Sequence, residues 1–298
     1  MKVLFLGTAA GGGLPQWNCN CPNCLRAREN SHRITPRLEA SLAVSSDGCN
    51  WVIIDAPLDL RYALSRFPFL SVTSSLRGTP IHSILITHGD LNHCAGLLTF
   101  RGPVTDQRQY LKIFTSSWTR QILLDGNQVF HTIKADWATL GSDWTHITGV
   151  QNNALEGRAI SVAGKPPTYS PRDHPDSTLA IQIRDTSTGS SLLYAPVVAA
   201  ISEILEEAMQ ASRCVIFDGT FFSDTELVEV DPHGRRAQEI GHIPVEQSLP
   251  VMAKLQSEYR LYSHINNTNP LNDPGSKAFL RLNDAGILVA HDNLQIDV

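Results

Sequence analysis

Three short apolar runs in this chain each stop at a residue that can bind a metal ion. The runs, each with the residue that follows it, are 84–87 with His88, 215–217 with Asp218, and 261–263 with His264. Short apolar runs predict buried strands, and ligands in open α/β sheets gather at the carboxyl ends of the strands. Any one of these residues alone could be a turn or capping residue, but the repetition favours one shared site.

A loop between residues 88 and 93 adds further candidates. His88 and His93 bracket Asp90, so a single ion could contact all three side chains. Imidazoles mixed with carboxylates suit Zn, Fe, Mn or Cu rather than Ca. His242 follows a polar loop and could line the same pocket. We therefore predict catalytic roles for Asp90, His93 and His242, and an active-site ligand set consisting of His88, Asp90, His93, Asp218 and His264.

Half of the six cysteines lie within six residues, at Cys19, Cys21 and Cys24. Three thiolates on one short loop can reach a single soft ion, and tetrahedral Zn²⁺ fits them best. A disulfide is the alternative, but it would leave one thiol unpaired, and nothing in the sequence indicates secretion. We predict a structural zinc, with a fourth ligand from a distant loop or a partner chain.

Strands alternate with helices in both halves of the chain, which predicts an α/β fold. Helices are predicted over Leu58 to Arg66, from about Ser117, and over Ile201 to Ala211. The stretch from Gly141 to Ser177 is poorer in pattern and is interpreted as a surface insertion. No linker and no repeat is visible, so residues 1–298 are predicted to form one domain. The remaining predicted strands are Val3 to Leu6, Ser41 to Ser45, Trp51 to Asp55, Leu111 to Thr115 and Ser191 to Ala195.

Charge and hydropathy exclude several classes of partner. Twenty-nine acidic residues against 24 Lys and Arg give a formal net charge of −5, and no basic block is present. Nucleic acid and anionic membranes are therefore not expected as partners. No apolar stretch approaches the length of a transmembrane helix, and the first residues run straight into glycines rather than into a signal peptide. We expect a soluble cytoplasmic protein without membrane insertion.

The order of several motifs resembles the coenzyme PQQ (pyrroloquinoline quinone) biosynthesis protein B family. The motifs span nearly the whole chain and are the segments 5–13 and 15–21 with Cys24, 217–220, 241–244 and 264–270. The resemblance implies a metallo-β-lactamase-like fold, a four-layer αβ/βα sandwich with the metal pocket at one edge. It also implies a structural zinc on the three clustered cysteines and a homodimer associated with that zinc loop.

The metallo-β-lactamase superfamily signature is His-x-His-x-Asp-His, and this chain departs from it. His88 and His93 match the first and last positions, whereas Asp90 stands at the second His and Asn92 at the Asp. A neutral amide is a poor metal ligand, so the second metal position is disfavoured. The remaining histidines and carboxylates could hold one ion, and two histidines with one carboxylate is the geometry of non-haem iron oxygenases.

Three functions follow from the resemblance. The first is iron-dependent hydroxylation of a tyrosine ring in a peptide-derived or small-molecule PQQ precursor, with Fe²⁺ or another divalent transition metal in the active site. The second is metal-dependent hydrolysis, in which the metal lowers the pKa of a bound water. The third is a non-enzymatic carrier or export factor for PQQ or its precursor. The departure at Asn92 weighs against hydrolysis, because hydrolases of this superfamily normally use two metals.

Overall fold

The computed structural model describes residues 1–29, 33–71, 78–101, 111–148, 154–170 and 173–298. Within these residues, fourteen strands form two seven-stranded sheets. None of the helices described there is long and apolar enough to cross a membrane. The two chain ends meet, because the Met1 ammonium donates to the Val298 carbonyl oxygen over 2.8 Å.

The first sheet has the order β14-β1-β2-β3-β4-β5-β6. Its β14 to β3 half is antiparallel and its β3 to β6 half is parallel. The central strands β2, β3 and β4 are buried at almost every residue, so they read as continuous apolar runs instead of alternating ones. The strand bounds are β1 Lys2–Gly7, β2 Ser41–Ser45, β3 Trp51–Ile54, β4 Ile81–Leu85, β5 Leu111–Thr115, β6 Ala135–Thr139 and β14 Gln295–Asp297.

The second sheet has the order β13-β12-β11-β10-β9-β8-β7. Its β7 to β10 half is antiparallel, and β10 to β13 are parallel. The strand bounds are β7 Thr145–His146, β8 Leu155–Ser161, β9 Leu179–Asp185, β10 Ser191–Ala195, β11 Cys214–Asp218, β12 Tyr259–Ser263 and β13 Leu288–Val289.

Helices cover the outer faces of both sheets. Among the described residues they are α1 Pro22–Arg28, α2 Leu60–Ser65, α3 Pro68–Ser71, α4 Leu91–Cys94, α5 Ser117–Gly126, α6 Glu203–Gln210, α7 Glu226–Val230, α8 Val245–Lys254 and α9 Lys277–Asp284. Several begin with a serine whose side chain accepts from a backbone N–H in the first turn, which satisfies an otherwise unpaired donor. Ser116, Ser202 and Ser276 do this for α5, α6 and α9.

Three apolar clusters define the layers. One lies between the sheets and contains Phe5, Ile181 and Tyr194. A second packs the first sheet against its helices, and a third packs the second sheet against α6, α8 and α9. Helix, sheet, sheet and helix therefore stack in four layers, which confirms the predicted α/β sandwich. Each apolar face is covered by the neighbouring layer, and this burial is the main stabilising contribution.

One prediction about the fold is wrong. The stretch from Gly141 to Ser177 is not a surface insertion, because it supplies β7 and β8 to the second sheet. Part of that stretch, 149–153 and 171–172, lies outside the described residues. The missed strand β8 has only Leu155, Gly157, Ala159 and Ile160 buried, with polar residues between them. Its alternating pattern carries a weaker signal than a continuous apolar run.

Candidate metal centres

Asp218, His242 and His264 form one cluster at the carboxyl ends of the second sheet. Each offers a ligand atom, and these atoms all lie within 4.8 Å of one another. Asp218 ends β11 and is fully buried, and His264 directly follows β12. His242 Nδ1 lies 2.7 Å from Asp218 Oδ2, and the His242 and His264 rings stack with centroids 5.7 Å apart. Two imidazoles and one carboxylate therefore converge on one place.

Thr220 determines which ring nitrogen of His264 carries the proton and which one is available to a metal ion. The Thr220 hydroxyl donates to Asp218 Oδ1 over 2.6 Å, so it can only accept from His264 Nδ1, which lies 2.8 Å away. His264 Nδ1 therefore carries the proton and Nε2 carries a lone pair. Nε2 is buried and has no hydrogen-bond partner within the described part of the chain. Burial and the imidazoles of His93 and His242 lower the pKa of His264 well below its usual value. An unpartnered, unprotonated imidazole nitrogen is suited to metal binding.

His93 is oriented by a carboxylate that the sequence analysis did not select. Its Nδ1–H donates to Asp55 Oδ2 over 2.9 Å, and Asp55 also accepts from the backbone N–H and the hydroxyl of Thr87. Burial alone would lower the pKa of His93, but the Asp55 carboxylate outweighs it and raises that pKa. A carboxylate behind a histidine is the usual support of a metal-binding imidazole. The His93 ring stacks on His264 at 5.2 Å between centroids.

His88 and Asp90 are held by the segment 165–169 instead of facing the cluster as free donors. His88 Nε2–H donates to the Lys165 carbonyl oxygen over 2.7 Å, and the Asp90 N–H donates to His88 Nδ1 over 3.3 Å. Asp90 Oδ1 accepts from the Thr168 N–H over 3.0 Å. Burial, followed by the nearby His93, lowers the pKa of His88 to about 4. Both ring nitrogens of His88 are therefore in use, and the ligand roles of His88 and Asp90 stay predictions.

Two residues that support the site were missed, and one of them was within reach of sequence reasoning. Asp55 is the last residue of the predicted strand Trp51 to Asp55 and directly follows the observed β3, so the strand-end argument used for His88 applies to it equally. Thr220 lies in the motif 217–220. No sequence pattern indicates that its hydroxyl bridges two candidate ligands. Asn92, which replaces a signature carboxylate, packs against Gly11, where an added Cβ would lie 3.2 Å from the Asn92 side-chain carbon Cγ.

The three clustered cysteines form a second, separate group. The sulfur atoms of Cys19, Cys21 and Cys24 all lie within 4.8 Å of one another. Two backbone N–H groups donate to sulfur, from Gln16 to Cys24 Sγ at 3.3 Å and from Cys21 to Cys19 Sγ at 3.4 Å. Burial raises the pKa of the Cys24 thiol to about 11. Three sulfurs that converge and accept N–H bonds fit a thiolate-bound ion, because a soft cation favours the deprotonated thiols.

Comparison with known proteins supports a single superfamily over most of the chain. The sequence profile of the beta-lactamase superfamily domain matches residues 50–265. The coenzyme PQQ synthesis protein B of Azotobacter vinelandii is 33% identical over 100% of both chains. That of Stutzerimonas stutzeri is 34% identical over 99% of both chains. The similarity therefore extends over the full length of the curated relatives.

Solved structures agree with the sequence comparison. The Zn²⁺-bound PqqB of Methylobacterium extorquens is 30% identical, superposes with a TM-score of 0.90 and covers 100% of both chains. A diphosphatase from the PhnP family is 19% identical with a TM-score of 0.72, covering 100% of this chain and 97% of its own, and shares the fold alone. The chain thus belongs to the coenzyme PQQ synthesis protein B family of the metallo-β-lactamase superfamily.

Proposed function

We propose that this protein catalyses a step of PQQ biosynthesis, the iron-dependent hydroxylation of a tyrosine ring in a peptide-derived precursor. Membership of the family supports the pathway. The observation that carries the chemistry is the convergence of Asp218, His242 and His264. Two histidines and one carboxylate with open positions are the donor set of non-haem Fe(II) oxygenases. When bound, Fe(II) would supply the O₂-dependent oxidation of the ring.

The buried, unpartnered Nε2 of His264 supports the fit of a divalent ion to this donor set. His93 stands beside His264 and is the further ligand that we propose. Asp55 holds the His93 ring, and Thr220 holds both His264 and the Asp218 carboxylate. These supporting contacts fix the ligands before the ion arrives, so little ordering entropy is lost on binding.

The donor set favours one ion over the two that superfamily hydrolases use. On the His88 side, Nε2 is bonded to the Lys165 carbonyl oxygen and Asp90 Oδ1 is bonded to the Thr168 N–H. The carboxylate of the signature is replaced by Asn92, which packs on Gly11. A second ion would have to displace the segment 165–168 to gain ligands. We therefore favour the oxygenase over the hydrolase.

A cleft of about 690 Å³ beside this segment is the proposed entry for the precursor. Lys165 and Arg235 line it as exposed cations and Asp173 as an acid. An added Cβ on Gly241 would lie 3.2 Å from the Lys165 backbone nitrogen, so the cleft wall touches the residue before His242. Two cations against one carboxylate would favour a peptide that carries carboxylates. The cleft would hold the peptide while its ring approaches the metal centre, which lowers the entropic part of the barrier.

We also propose that Cys19, Cys21 and Cys24 hold a structural zinc and that the surface around them forms a homodimer. Closed sulfur sites of this kind are structural, because no ligand position is left for a substrate. Next to the loop, the side chain of Trp17 is 87% exposed and that of Leu25 is 45% exposed. Exposed large apolar side chains beside a rigid loop are suited to protein–protein contact. Trp17→Ser should shift the protein towards monomer in light scattering.

Oxygen consumption by protein loaded anaerobically with Fe(II) tests the proposed reaction. With a tyrosine-containing peptide and ascorbate as the two-electron reductant, we expect O₂ uptake and a peptide product heavier by one oxygen atom, the other oxygen atom being reduced to water. His264→Ala should abolish both, because the remaining donors hold Fe(II) too weakly. His131→Ala is the matched control, since His131 is exposed and bonds only to the Leu124 carbonyl oxygen in the described structure.

Three outcomes would contradict the proposed reaction. Uptake that persists in His264→Ala would place the chemistry elsewhere. Absence of uptake in the unmodified protein, together with tight metal-independent binding of PQQ, would establish the carrier function instead. Release of a hydrolysed peptide without O₂ uptake would establish the hydrolase.

A further inference from the structure

The amide of Asn267 lies over the three clustered sulfurs, far from them in sequence. Its Nδ2 is 3.1 Å from Cys19 Sγ, 3.5 Å from Cys21 Sγ and 3.4 Å from Cys24 Sγ. In a tetrahedral site with Zn–S of about 2.3 Å and Zn–O of about 2.0–2.2 Å, a fourth oxygen lies about 3.5 Å from each sulfur. The amide group therefore stands where the fourth ligand of a tetrahedral ion would stand.

We propose that Asn267 is the fourth ligand of the zinc on Cys19, Cys21 and Cys24, binding through its side-chain oxygen Oδ1. The inference rests on the proposed structural zinc. It explains why a loop more than 240 residues away from the cysteines reaches them. It also completes the site within one chain, so no partner subunit is needed to supply a ligand.

The orientation of the amide is compatible with this role. The nitrogen and oxygen ends of an asparagine side chain have nearly the same shape and are assigned from the hydrogen-bond network. The N–H end of the Asn267 amide faces the three sulfurs, which accept from it. No hydrogen bond to Oδ1 is found in the described part of the chain, so a half-turn of the amide breaks no other contact there. With zinc bound, that half-turn brings Oδ1 to the ion.

Electrostatics favour a neutral fourth ligand at this depth. Cys24 is fully buried, and Cys21 and Asn267 are 6% and 4% exposed. Three thiolates and Zn²⁺ carry a net charge of −1, whereas a fourth anionic ligand would raise it to −2. Burying additional charge costs free energy unless it is paired. Arg28 is the cation of this loop, and it is held by backbone oxygens of Gln16 and Cys19 on the exposed side.

The backbone of Asn267 is fixed independently of its side chain. Asn23, which lies between two of the cysteines, donates from Nδ2 to the carbonyl oxygens of Asn267 at 2.9 Å and Asn269 at 3.0 Å. Asn269 in turn donates to the carbonyl oxygens of Gly219 and Thr220. Replacing the Asn267 side chain should therefore leave the loop in place, and the change in metal affinity will report on the ligand itself.

The proposal also gives the zinc a function beyond folding. His264 lies three residues before Asn267 on the same loop, and the next residue, Ile265, is bonded to Thr8 and Ala10 beside the glycine-rich turn. An ion bound to both the cysteine loop and Asn267 would hold the segment that carries His264. The structural zinc would thus stabilise the position of an active-site ligand without contacting the substrate.

Zinc affinity and cobalt spectroscopy together test this assignment. Co²⁺ bound to thiolates gives sulfur-to-metal charge-transfer bands that report on the cysteine site and not on the histidine cluster. We compare the unmodified protein with Asn267→Ala, Asn267→Asp and the control Asn20→Ala, whose exposed side chain lies in the same loop and contacts Arg28. Circular dichroism verifies that each variant is folded, and Cys21→Ser tests the zinc site itself.

We expect Asn267→Ala to bind zinc about tenfold more weakly or worse. Even the loss of a residue that only hydrogen-bonds to a metal ligand lowers metal affinity about 10–100-fold. Its Co²⁺ spectrum should change in the ligand-field region while the charge-transfer bands persist. Asn267→Asp should keep more zinc than Asn267→Ala, because a carboxylate oxygen still reaches the ion although it buries additional charge, and Asn20→Ala should be unchanged.

An unchanged affinity and Co²⁺ spectrum in Asn267→Ala would overturn the assignment. Loss of zinc from Asn267→Asp would also overturn it, because an oxygen ligand would still be present. If the unmodified protein and Cys21→Ser hold the same amount of zinc, the structural zinc itself fails, which is a different result.

Discussion

Two residues that shape the active site adopt a backbone conformation that side chains rarely accept. Asp55 has φ of 62° and His264 has φ of 59°, both in the left-handed region. A non-glycine residue there costs about 1–3 kcal/mol and persists only where its surroundings fix it. Asp55 is fixed by Thr87 and His93, and His264 is fixed by Thr220. The strain is thus concentrated at the two strand ends that position the imidazoles.

Thr220 offers a sharp test of this positioning. Thr220→Val keeps the shape but removes the hydroxyl that donates to Asp218 and accepts from His264. We expect affinity for an active-site ion to fall by about 10–100-fold, the usual cost of losing such a partner. Calorimetric titration with Mn²⁺ measures it, with Thr225→Val as control, since the Thr225 hydroxyl bonds only to Glu229 among the residues that the structure describes. Equal Mn²⁺ affinity in Thr220→Val would show that the hydroxyl does not organise the ligands.

Residue types at strand ends were predictable, whereas their hydrogen-bond partners were not. The sequence predicted His88, Asp218 and His264 at strand ends. Asp218 ends β11 and His264 directly follows β12, whereas β4 ends at Leu85, three residues before His88. That His88 faces the Lys165 carbonyl oxygen instead of the cluster depends on a contact 77 residues away along the chain. No local pattern encodes such a contact, so the division of the candidate ligands between the cluster and the segment 165–168 could not be predicted.

At the scale of elements, α4 and the strand end after β3 are locked together. The Ala56 N–H donates to the His93 carbonyl oxygen over 2.7 Å, and the Gly96 N–H donates to the Ala56 carbonyl oxygen over 2.8 Å. A Cβ on Gly96 would lie 2.0 Å from the Pro57 carbonyl oxygen. The absence of a side chain at Gly96 therefore lets the helix of His93 approach the segment of Asp55.

Gly96→Ala should separate these two elements. The added Cβ would clash with backbone atoms, which can shift only at a cost in free energy. We therefore expect the free energy of unfolding to fall by about 1–3 kcal/mol, as for overpacked cores. The active-site ion should also be held more weakly, because the Asp55–His93 contact is disturbed. Urea denaturation gives the first quantity and Mn²⁺ titration gives the second. Gly126→Ala is the control, since nothing lies within 4 Å of the Cβ that it would add. Similar stability of the two variants would refute the close-approach argument.

Prediction succeeded for strands that are nearly continuous apolar runs and failed where polar residues interrupt the run, as Gln182 and Arg184 do in the mostly buried β9. Strands such as β2, β5 and β11, which are fully or almost fully buried, were predicted within a residue of their observed bounds. The edge strand β6 is exposed or half-buried throughout, and β8 alternates, so neither was predicted. Partial burial leaves polar residues in the pattern, and hydrophobic periodicity then no longer separates strand from loop.

At the scale of the whole molecule, a buried acid couples stability to pH. Burial raises the pKa of Glu226 from 4.5 to about 7, although Thr268 and the Phe222 N–H both donate to it. The folded state therefore keeps a proton that the unfolded state loses from about pH 4.3. The contribution of Glu226 to stability is therefore fully present below that value and is lost as the pH rises towards 7.

Glu226→Gln should remove this part of the pH dependence. A neutral amide has no charge to bury, so the variant should lose less stability than the unmodified protein between pH 5 and 8, by up to about 3 kcal/mol. Urea denaturation at the two pH values measures it. Glu207→Gln, at an exposed acid on α6, should leave the dependence unchanged. A Glu226→Gln variant with the same pH dependence as the unmodified protein would show that Glu226 titrates normally.

At the scale of the whole molecule, one chain contains two candidate metal centres. The central claim is that these two centres are separate sites with different roles. The histidine cluster is predicted to be open and functional, and the cysteine cluster closed and structural. The claim is tested most directly by counting metals in protein reloaded anaerobically with Zn²⁺ and Fe²⁺. We expect about two ions per chain, one bound to each cluster, and about one, a zinc, in His264→Ala. A His264→Ala variant that keeps both ions, or that loses both, would contradict it.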